Sequence, residues 1–396
     1  MDFEGNTMKK ILLLYDFLKE IGGLERVLFF QANLLKKKYD SEIVCSYVSK
    51  RNKNEVIKEL ELNREIKVRP IGKFPNEILQ MTFSFLFPHR ARKLKTDLII
   101  SHSFMSSRMA YSKKKIDGTP YIVILYHPPN FIYSDIKGWA NNLPRKFASL
   151  LGLFFKNKIK KADYHAVKNA NVVIAISEYT ARRVKKIYGI NPVIVYPQLS
   201  KFFSVLNEKK KKEFLSKHKI SKKFLLAHGR VIPDKNCGAL LHIIKHLENV
   251  DLIISGNISE NYRKELEDKI IEMKLQNRVK VLGKISKEDL LGYYNCAELF
   301  LMPAKKEDFG LTPIEAVACG CPVVAWGDDA GPNETIIDGV NGLLAKPYNI
   351  HDFAEKIKIG LKSKWDREKM IGSVDKFSEK EVGEKFSQII DDLFHK

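Results

Sequence analysis

The sequence predicts an α/β protein of two domains, each a mainly parallel sheet with helices on both faces. Its 396 residues are enough for two separate hydrophobic cores. Short runs rich in Val, Ile and Leu alternate with stretches of helical apolar spacing, which is the pattern of strand–helix–strand units. The stretch from Met302 to Ala325, MPAKKEDFGLTPIEAVACGCPVVA, compresses the same logic: strand end, loop, helix, tight stop and buried strand.

Composition narrows the class. The apolar fraction is 44%, and no run of about 18 or more apolar residues occurs, so a spanning helix is not expected. The opening MDFEGNTMKKILLLYDF carries acidic and polar residues before its short apolar segment and has no small-residue cleavage pattern, so it reads as a loose tail before a first strand. Cys45, Cys237, Cys296, Cys319 and Cys321 form neither a metal-ligand spacing nor an even disulfide framework, which fits a reducing cytoplasm. Cys319-Gly320-Cys321 reads as small-residue packing at a helix stop. The net charge of +21 is unevenly spread: residues 1–200 hold 35 Lys+Arg against 17 Asp+Glu, the rest 33 against 30. A one-sided basic domain points to an anionic partner such as a membrane surface, a pyrophosphate-linked lipid or nucleic acid, although a generally Lys-rich composition explains the same excess.

In the first half, Lys9 to Asp16 reads as a buried strand, Gly22-Gly23 as a turn that lets backbone approach a phosphate, and Leu24 to Lys37 as a helix. Ser41 to Val48, Ile66 to Val68 and Asp97 to Ser101 continue the strands. Tyr121 to Tyr126 is an apolar run followed at once by His127-Pro128-Pro129, whose prolines fix the chain's exit and set the imidazole at the sheet edge where ligands gather. The segment from Lys137 to Ile190 is basic, with 12 Lys+Arg against two acids. Within it Phe147 to Phe155, FASLLGLFF, fits a core helix or a helix lying at a lipid interface, and the aromatic-rich Met81 to Phe87 is a second patch of that kind. Asn171 to Ile176 is a strand, Ser177 caps the helix that follows, and Val193 to Tyr196 closes the half.

The second half opens after the Lys-rich stretch Asn207 to Lys212. Phe224 to His228 is its first strand, and the loop after it places two cations, Arg230 and Lys235, where they suit a diphosphate leaving group. Val250 to Ser255 ends at Gly256-Asn257, and Val279 to Leu282 ends at Gly283-Lys284. In the central stretch, Thr312 is expected as N-cap, Pro313 as first helical residue and Glu315 as the partner in a capping box, with Gly320 stopping the helix. The amides of Phe309, Gly310 and Leu311 would then form an anion site at the helix start. Asn341 to Leu344, a helix over Asp352 to Lys362 and another over Lys380 to Leu393 finish the chain.

EDFGLTPIEAVACGCPVVA closely resembles the C-terminal signature of the family 4 retaining glycosyltransferases of GT-B fold. GRVIPDK is similar to that family's paired Arg and Lys phosphate motif, GGLERV to its N-terminal glycine loop, and HPPNFIYSD to the histidine segment of its mannosyltransferase-like branch. The resemblance implies two Rossmann-like domains facing each other across a deep cleft: residues 1–199 on the acceptor side, 200–375 binding the nucleotide sugar, and a helix at 376–396 crossing back to the first domain. It implies that Glu307, with Asp308 and the Phe309 to Leu311 amides, holds the donor sugar and phosphate. It gives Glu315 the ribose, Arg230 and Lys235 the diphosphate, and His127 a steadying contact with the sugar. Gly22, Gly23, Ser177 and Gly256 are carried over as donor-side positions. Two departures stand out: Gln198 where a second Pro is usual, and Asn257 or Ile258 where a second glycine is.

The function implied is transfer of a hexose from a nucleotide diphosphate sugar, GDP-mannose before a UDP-sugar, to a lipid-linked or glycan acceptor at the cytoplasmic membrane face. No metal or other cofactor is expected. An epimerase of the same fold would need a pair of acid/base residues that the first domain does not display. A nucleic-acid binder would leave EDFGLTPIE unexplained, and a sugar-binding scaffold without turnover would use the same binding motifs.

Overall fold

The computed structural model describes residues 8–18, 22–48, 66–71, 88–102, 104–133 and 157–395. The chain forms two units, one of Met1–Tyr196 with Gly383–Lys396, the other of Pro197–Val382. Phe147 to Phe155 and Met81 to Phe87, the two patches weighed for lipid contact, lie outside the described residues. Among the described residues no helix is long and apolar enough to cross a membrane.

The first unit is built on β1 (Lys10–Leu18), β2 (Asp40–Val48), β3 (Lys67–Pro70), β4 (Leu98–Ser101), β5 (Tyr121–Leu125), β6 (Val172–Ala175) and β7 (Val193–Ile194). They pair in the order β3-β2-β1-β4-β5-β6-β7, every pair parallel. A parallel sheet buried on both faces needs continuous apolar runs, and β4 and β5 are buried at every residue. The Gly23–Leu35 and Phe104–Asp117 helices, a helix over 157–168 and the Glu178–Tyr188 helix are the crossovers. One core cluster gathers Leu12, Leu14, Ile99, Tyr121, Val123 and Tyr188.

The second unit holds β8 (Phe224–His228), β9 (Asp251–Ser255), β10 (Val279–Gly283), β11 (Leu299–Met302), β12 (Val323–Trp326) and β13 (Gly342–Ala345), in the order β10-β9-β8-β11-β12-β13 and again parallel throughout. Its core runs from Leu225, Leu252 and Leu299 to Trp326, Phe353 and Ile357. In each unit the chain winds outward in one direction and then returns to wind in the other. The winding reverses between β1 and β4 in the first sheet and between β8 and β11 in the second. Loops leaving the carboxyl ends of those neighbours diverge and open a crevice, which is where ligands bind in such sheets.

One local expectation is overturned. The helix after Gly310 spans Leu311–Ala318 with Gly310, not Thr312, as its N-cap, and no side chain caps it. Gly310 adopts φ +88°, a left-handed turn that starts the helix early. Pro313 then falls at the third helical position, where a missing N–H is still tolerated because the first four donors have no intrahelical acceptor. Glu315 is therefore no capping-box partner; it is buried, and its Oε2 accepts the Tyr294 hydroxyl at 3.1 Å.

Candidate functional site

The loops at the second switch point carry the densest chemistry. Lys235 follows β8 and Glu307 follows β11, and the Lys235 ammonium donates to Glu307 Oε2. Both side chains are largely shielded, at 26% and 19% exposure, so the pair is held in a medium less polarisable than water. Asn236 locks the cation's backbone. It takes a left-handed conformation at φ 56°, and its Nδ2 donates to the Pro303 carbonyl at 3.1 Å. That same oxygen accepts Trp326 Nε1 at 2.8 Å, so the loops after β8 and β11 and the end of β12 share one anchor.

Arg230 is exposed; its main-chain carbonyl accepts the Ile232 N–H at 3.1 Å, while its guanidinium makes neither hydrogen bond nor ion pair among the described residues. It is the one of the two loop cations whose charge is not already matched by a carboxylate. Gly256, after β9, sits against the Gly229 loop so closely that a Cβ there would stand 1.6 Å from the Gly229 carbonyl oxygen. Gly229 N–H donates to the Ser255 carbonyl at 3.2 Å and Val231 N–H to that of Asn257 at 2.9 Å. The glycine is thus required by the contact of two loops.

Beyond Glu307, Asp308 is half-buried and Phe309 buried, the latter edge-on to Phe377 at 5.4 Å between ring centres. The Leu311–Ala318 helix start has backbone N–H groups with no side-chain cap, which together with the dipole favours an anion. Glu315 lies on the buried side of that helix.

In the first unit three loops meet at the sheet's carboxyl edge. Gly22 N–H donates to Glu25 Oε2 at 2.8 Å while Tyr15 donates to Glu25 Oε1 at 2.6 Å. Burial, and then the Glu25 charge, push the Tyr15 hydroxyl well above its usual pKa, so it remains a donor. Glu25 was missed by the sequence reading, although Glu three residues after Gly22 is a legible first-turn signal. His127 is exposed, its Nδ1 3.1 Å from the Pro128 carbonyl, with Pro128 and Pro129 buried beneath. Thr180 donates to the Tyr126 carbonyl at 3.2 Å, and the Tyr126 hydroxyl lies 3.5 Å from the Leu24 carbonyl. Ser177 is fully buried: its Oγ accepts Thr180 N–H at 3.0 Å and donates to Thr180 Oγ1 at 3.0 Å, the work of a helix cap.

A second residue the sequence did not flag is His102, at the end of β4. It is fully buried, with Nδ1 2.8 Å from the Tyr126 hydroxyl, and burial lowers its pKa to about 3. Cys319 and Cys321 are buried thiols, which fits packing. Among the described residues no group of three or more His, Cys, Asp or Glu could hold a metal ion.

Two parallel α/β units, each with glycine loops and charged groups at its switch point, define a protein of the doubly wound, Rossmann-like class. The comparisons make that class specific. The model of Glycosyltransferase Family 4 matches residues 21–197, and that of Glycosyl transferases group 1 matches residues 208–376. Models of glycosyltransferase domains thus match both halves of the chain, and its fold is GT-B. It is 27% identical over 238 residues to an uncharacterized glycosyltransferase of Methanocaldococcus jannaschii, covering 59% of this chain and 61% of that one. It is 34% identical over 132 residues to the D-inositol 3-phosphate glycosyltransferase of Mycolicibacterium smegmatis, covering 33% of this chain and 30% of that one. The matched segments thus span from under a third to about three fifths of these relatives. Among solved structures, Anabaena HepE in complex with UDP aligns over 97% of this chain and 100% of its own, with a TM-score of 0.77 at 19% identity. Sucrose-phosphate synthase of Thermosynechococcus elongatus aligns over 98% and 99%, with a TM-score of 0.77 at 18% identity.

Proposed function

We propose that the protein is a retaining hexosyltransferase, moving a sugar from a nucleotide diphosphate sugar to a lipid-linked or glycan acceptor at the cytoplasmic face of a membrane. The observation that carries this is the gathering of Lys235 and Glu307 beside the uncapped start of the Leu311–Ala318 helix, at the sheet's switch point. In this reading Arg230, Lys235 and the helix-start amides offset charge on the departing diphosphate. Glu307 takes hydroxyls of the sugar and Glu315 those of the ribose, while His127 of the first unit steadies the sugar. The C1–O bond to the diphosphate breaks, the acceptor oxygen bonds C1 from the same face, and its proton goes to the leaving phosphate. Because protein cations carry the neutralising role, chelation with EDTA is expected to leave turnover unchanged.

GDP-mannose is the donor favoured by the likeness of EDFG, GRVIPDK and HPPNFIY to the mannosyltransferase-like branch. A UDP-sugar is the second reading, supported by HepE, which is described in complex with UDP-glucose. The test is thermal stabilisation by GDP, UDP, ADP, GDP-mannose and UDP-glucose at equal concentration, followed by the anomeric configuration of the product. Ligands that bind only the native state raise its melting temperature by mass action. A GDP-type shift supports the mannosyl reading and a UDP-only shift moves the donor. A shift with none, or an inverted product, overturns the proposal.

A further inference from the structure

We propose that Asp328 is a positioning residue that sets the geometry of Glu307, acting through the backbone of Lys306 and touching no ligand itself. Its catalytic consequence rests on reading Glu307 as the group that holds the donor sugar. Asp328 stands just past the end of β12 and is almost fully buried, an environment in which a carboxylate needs partners. It has them: Oδ2 accepts the backbone N–H of Lys306 at 2.8 Å and the Tyr348 hydroxyl at 3.0 Å, while its main-chain carbonyl accepts the Lys306 ammonium.

Lys306 is the residue immediately before Glu307, and it adopts φ 49°, the left-handed region that a side chain disfavours. That conformation decides which way the chain leaves Lys306 and hence where the Glu307 carboxylate points. A residue does not stay there unless its surroundings impose it. Of the seven non-glycine residues with positive φ among the described residues, three converge on this knot, Lys306, Asp329 and Tyr348, and a fourth, Asn236, follows Lys235, the partner of Glu307. On the far side of Glu307 the chain is pinned again. Gly331 N–H donates to the Glu307 carbonyl at 2.8 Å, and a Cβ on Gly331 would come within 2.4 Å of the Phe309 Cα. The turn from Asp328 to Gly331 is therefore a template against which the Glu307 backbone is moulded from both ends.

The experiment uses the full-length protein as wild type, Asp328→Ala, Lys306→Gly/Asp328→Ala and Tyr348→Phe. Each is followed by amide exchange over residues 304–311 and by steady-state consumption of GDP-mannose and UDP-glucose. Asp328→Ala is expected to speed exchange of that segment about tenfold or more while β8 and β9 are unchanged, and to lower kcat by roughly 30-fold with KM within about threefold. Glycine adopts φ near 49° without a side-chain penalty, so Lys306→Gly is expected to restore about tenfold of the lost kcat in the double variant. A residue important only for general stability would lower the melting temperature without lowering kcat of the folded protein, leaving no kcat loss for the glycine to recover. Unchanged exchange over 304–311 in Asp328→Ala, or no recovery of kcat in the double variant, overturns the proposal. Should Asp328→Ala fail to fold, Tyr348→Phe removes a donor from the same oxygen on an exposed ring; it must then speed exchange of the same segment several-fold, and wild-type exchange would overturn the proposal. A wild type that consumes neither nucleotide sugar sinks the sugar-holding role of Glu307, while the exchange result still decides whether Asp328 sets the loop.

Discussion

Lys235 and Glu307 are of opposite charge and already bonded to one another, so neither can be removed without stranding the other in a half-shielded site. Lys235→Ala and Glu307→Ala are each expected to lower turnover by about 100-fold or more, the scale of losing one preorganised electrostatic group, while shifting the melting temperature by only a few degrees. Initial rates and thermal scans on the same preparations check this, and near-wild-type turnover in either variant would remove that residue from the reaction. His102 supports a prediction of another kind. Its pKa, about 3 in the fold against 6.5 ordinarily, means the folded chain keeps it neutral while the unfolded chain protonates it as pH falls. Stability is complete above about pH 6.5 and is lost toward pH 3, with a limiting slope of about 1.4 kcal/mol per pH unit from this one group. His102→Gln is expected to be less stable at pH 7.5 but to lose less stability between pH 6 and pH 4, read by urea unfolding at each pH. Parallel losses in the two proteins would show that His102 does not carry the dependence.

At the scale of elements, glycines with positive φ fall into two kinds. Gly189 ends the Glu178–Tyr188 helix at φ 66° with nothing within 4 Å of an added Cβ, so Gly189→Ala is expected to cost only about 1 kcal/mol, from the backbone alone. Gly256, at φ 133° and with a Cβ position 1.6 Å from a carbonyl oxygen, must push two loops apart. Gly256→Ala should cost about 3 kcal/mol or more and weaken nucleotide binding, by chemical denaturation and thermal shift; equal costs for the two alanines would refute the distinction. The sheets were readable because β-branched runs and their punctuation are local: Phe224–His228 was expected at the bounds it has, and most other strands within one to three residues. The capping box was not, although Thr312 and Glu315 have the right spacing. What turns Glu315 inward is Tyr294, 21 residues earlier, and what starts the helix is the φ of Gly310; neither is written in the local string. For the same reason Asp328 could not be found from sequence. Its partner is a backbone N–H whose significance lies in the left-handed conformation of an ordinary lysine. Glu25, by contrast, was legible as a first-turn acid and simply not read.

At the scale of the whole molecule, the first unit is discontinuous in sequence, since Gly383–Lys396 belong to it with residues up to Tyr196. The Glu379–Phe394 helix buries Val382, Phe386 and Ile390, three residues spaced four apart in a stripe along one face. In the first unit Asp391 accepts from Lys38 at 2.7 Å and from the Tyr39 hydroxyl at 2.5 Å, with Phe394 5.5 Å from the Tyr39 ring. Those two donors hold the Asp391 carboxyl below the usual range, so the tie is intact at neutral pH and loosens as acid protonates it. Asp391 follows the Asp40–Val48 strand by some 340 residues, and the loop so closed encloses the entire second unit. Breaking it should therefore be felt in one sheet and not in the other. Asp391→Ala is expected to cost about 1–2 kcal/mol, the scale of two hydrogen bonds of which one is charge-assisted. Amide exchange should quicken in β1 and β2 while β8 and β11 keep wild-type protection. Equal acceleration in both sheets would mean that the two units open as one cooperative block. No acceleration in either would mean that the apolar stripe of the last helix holds it without Asp391.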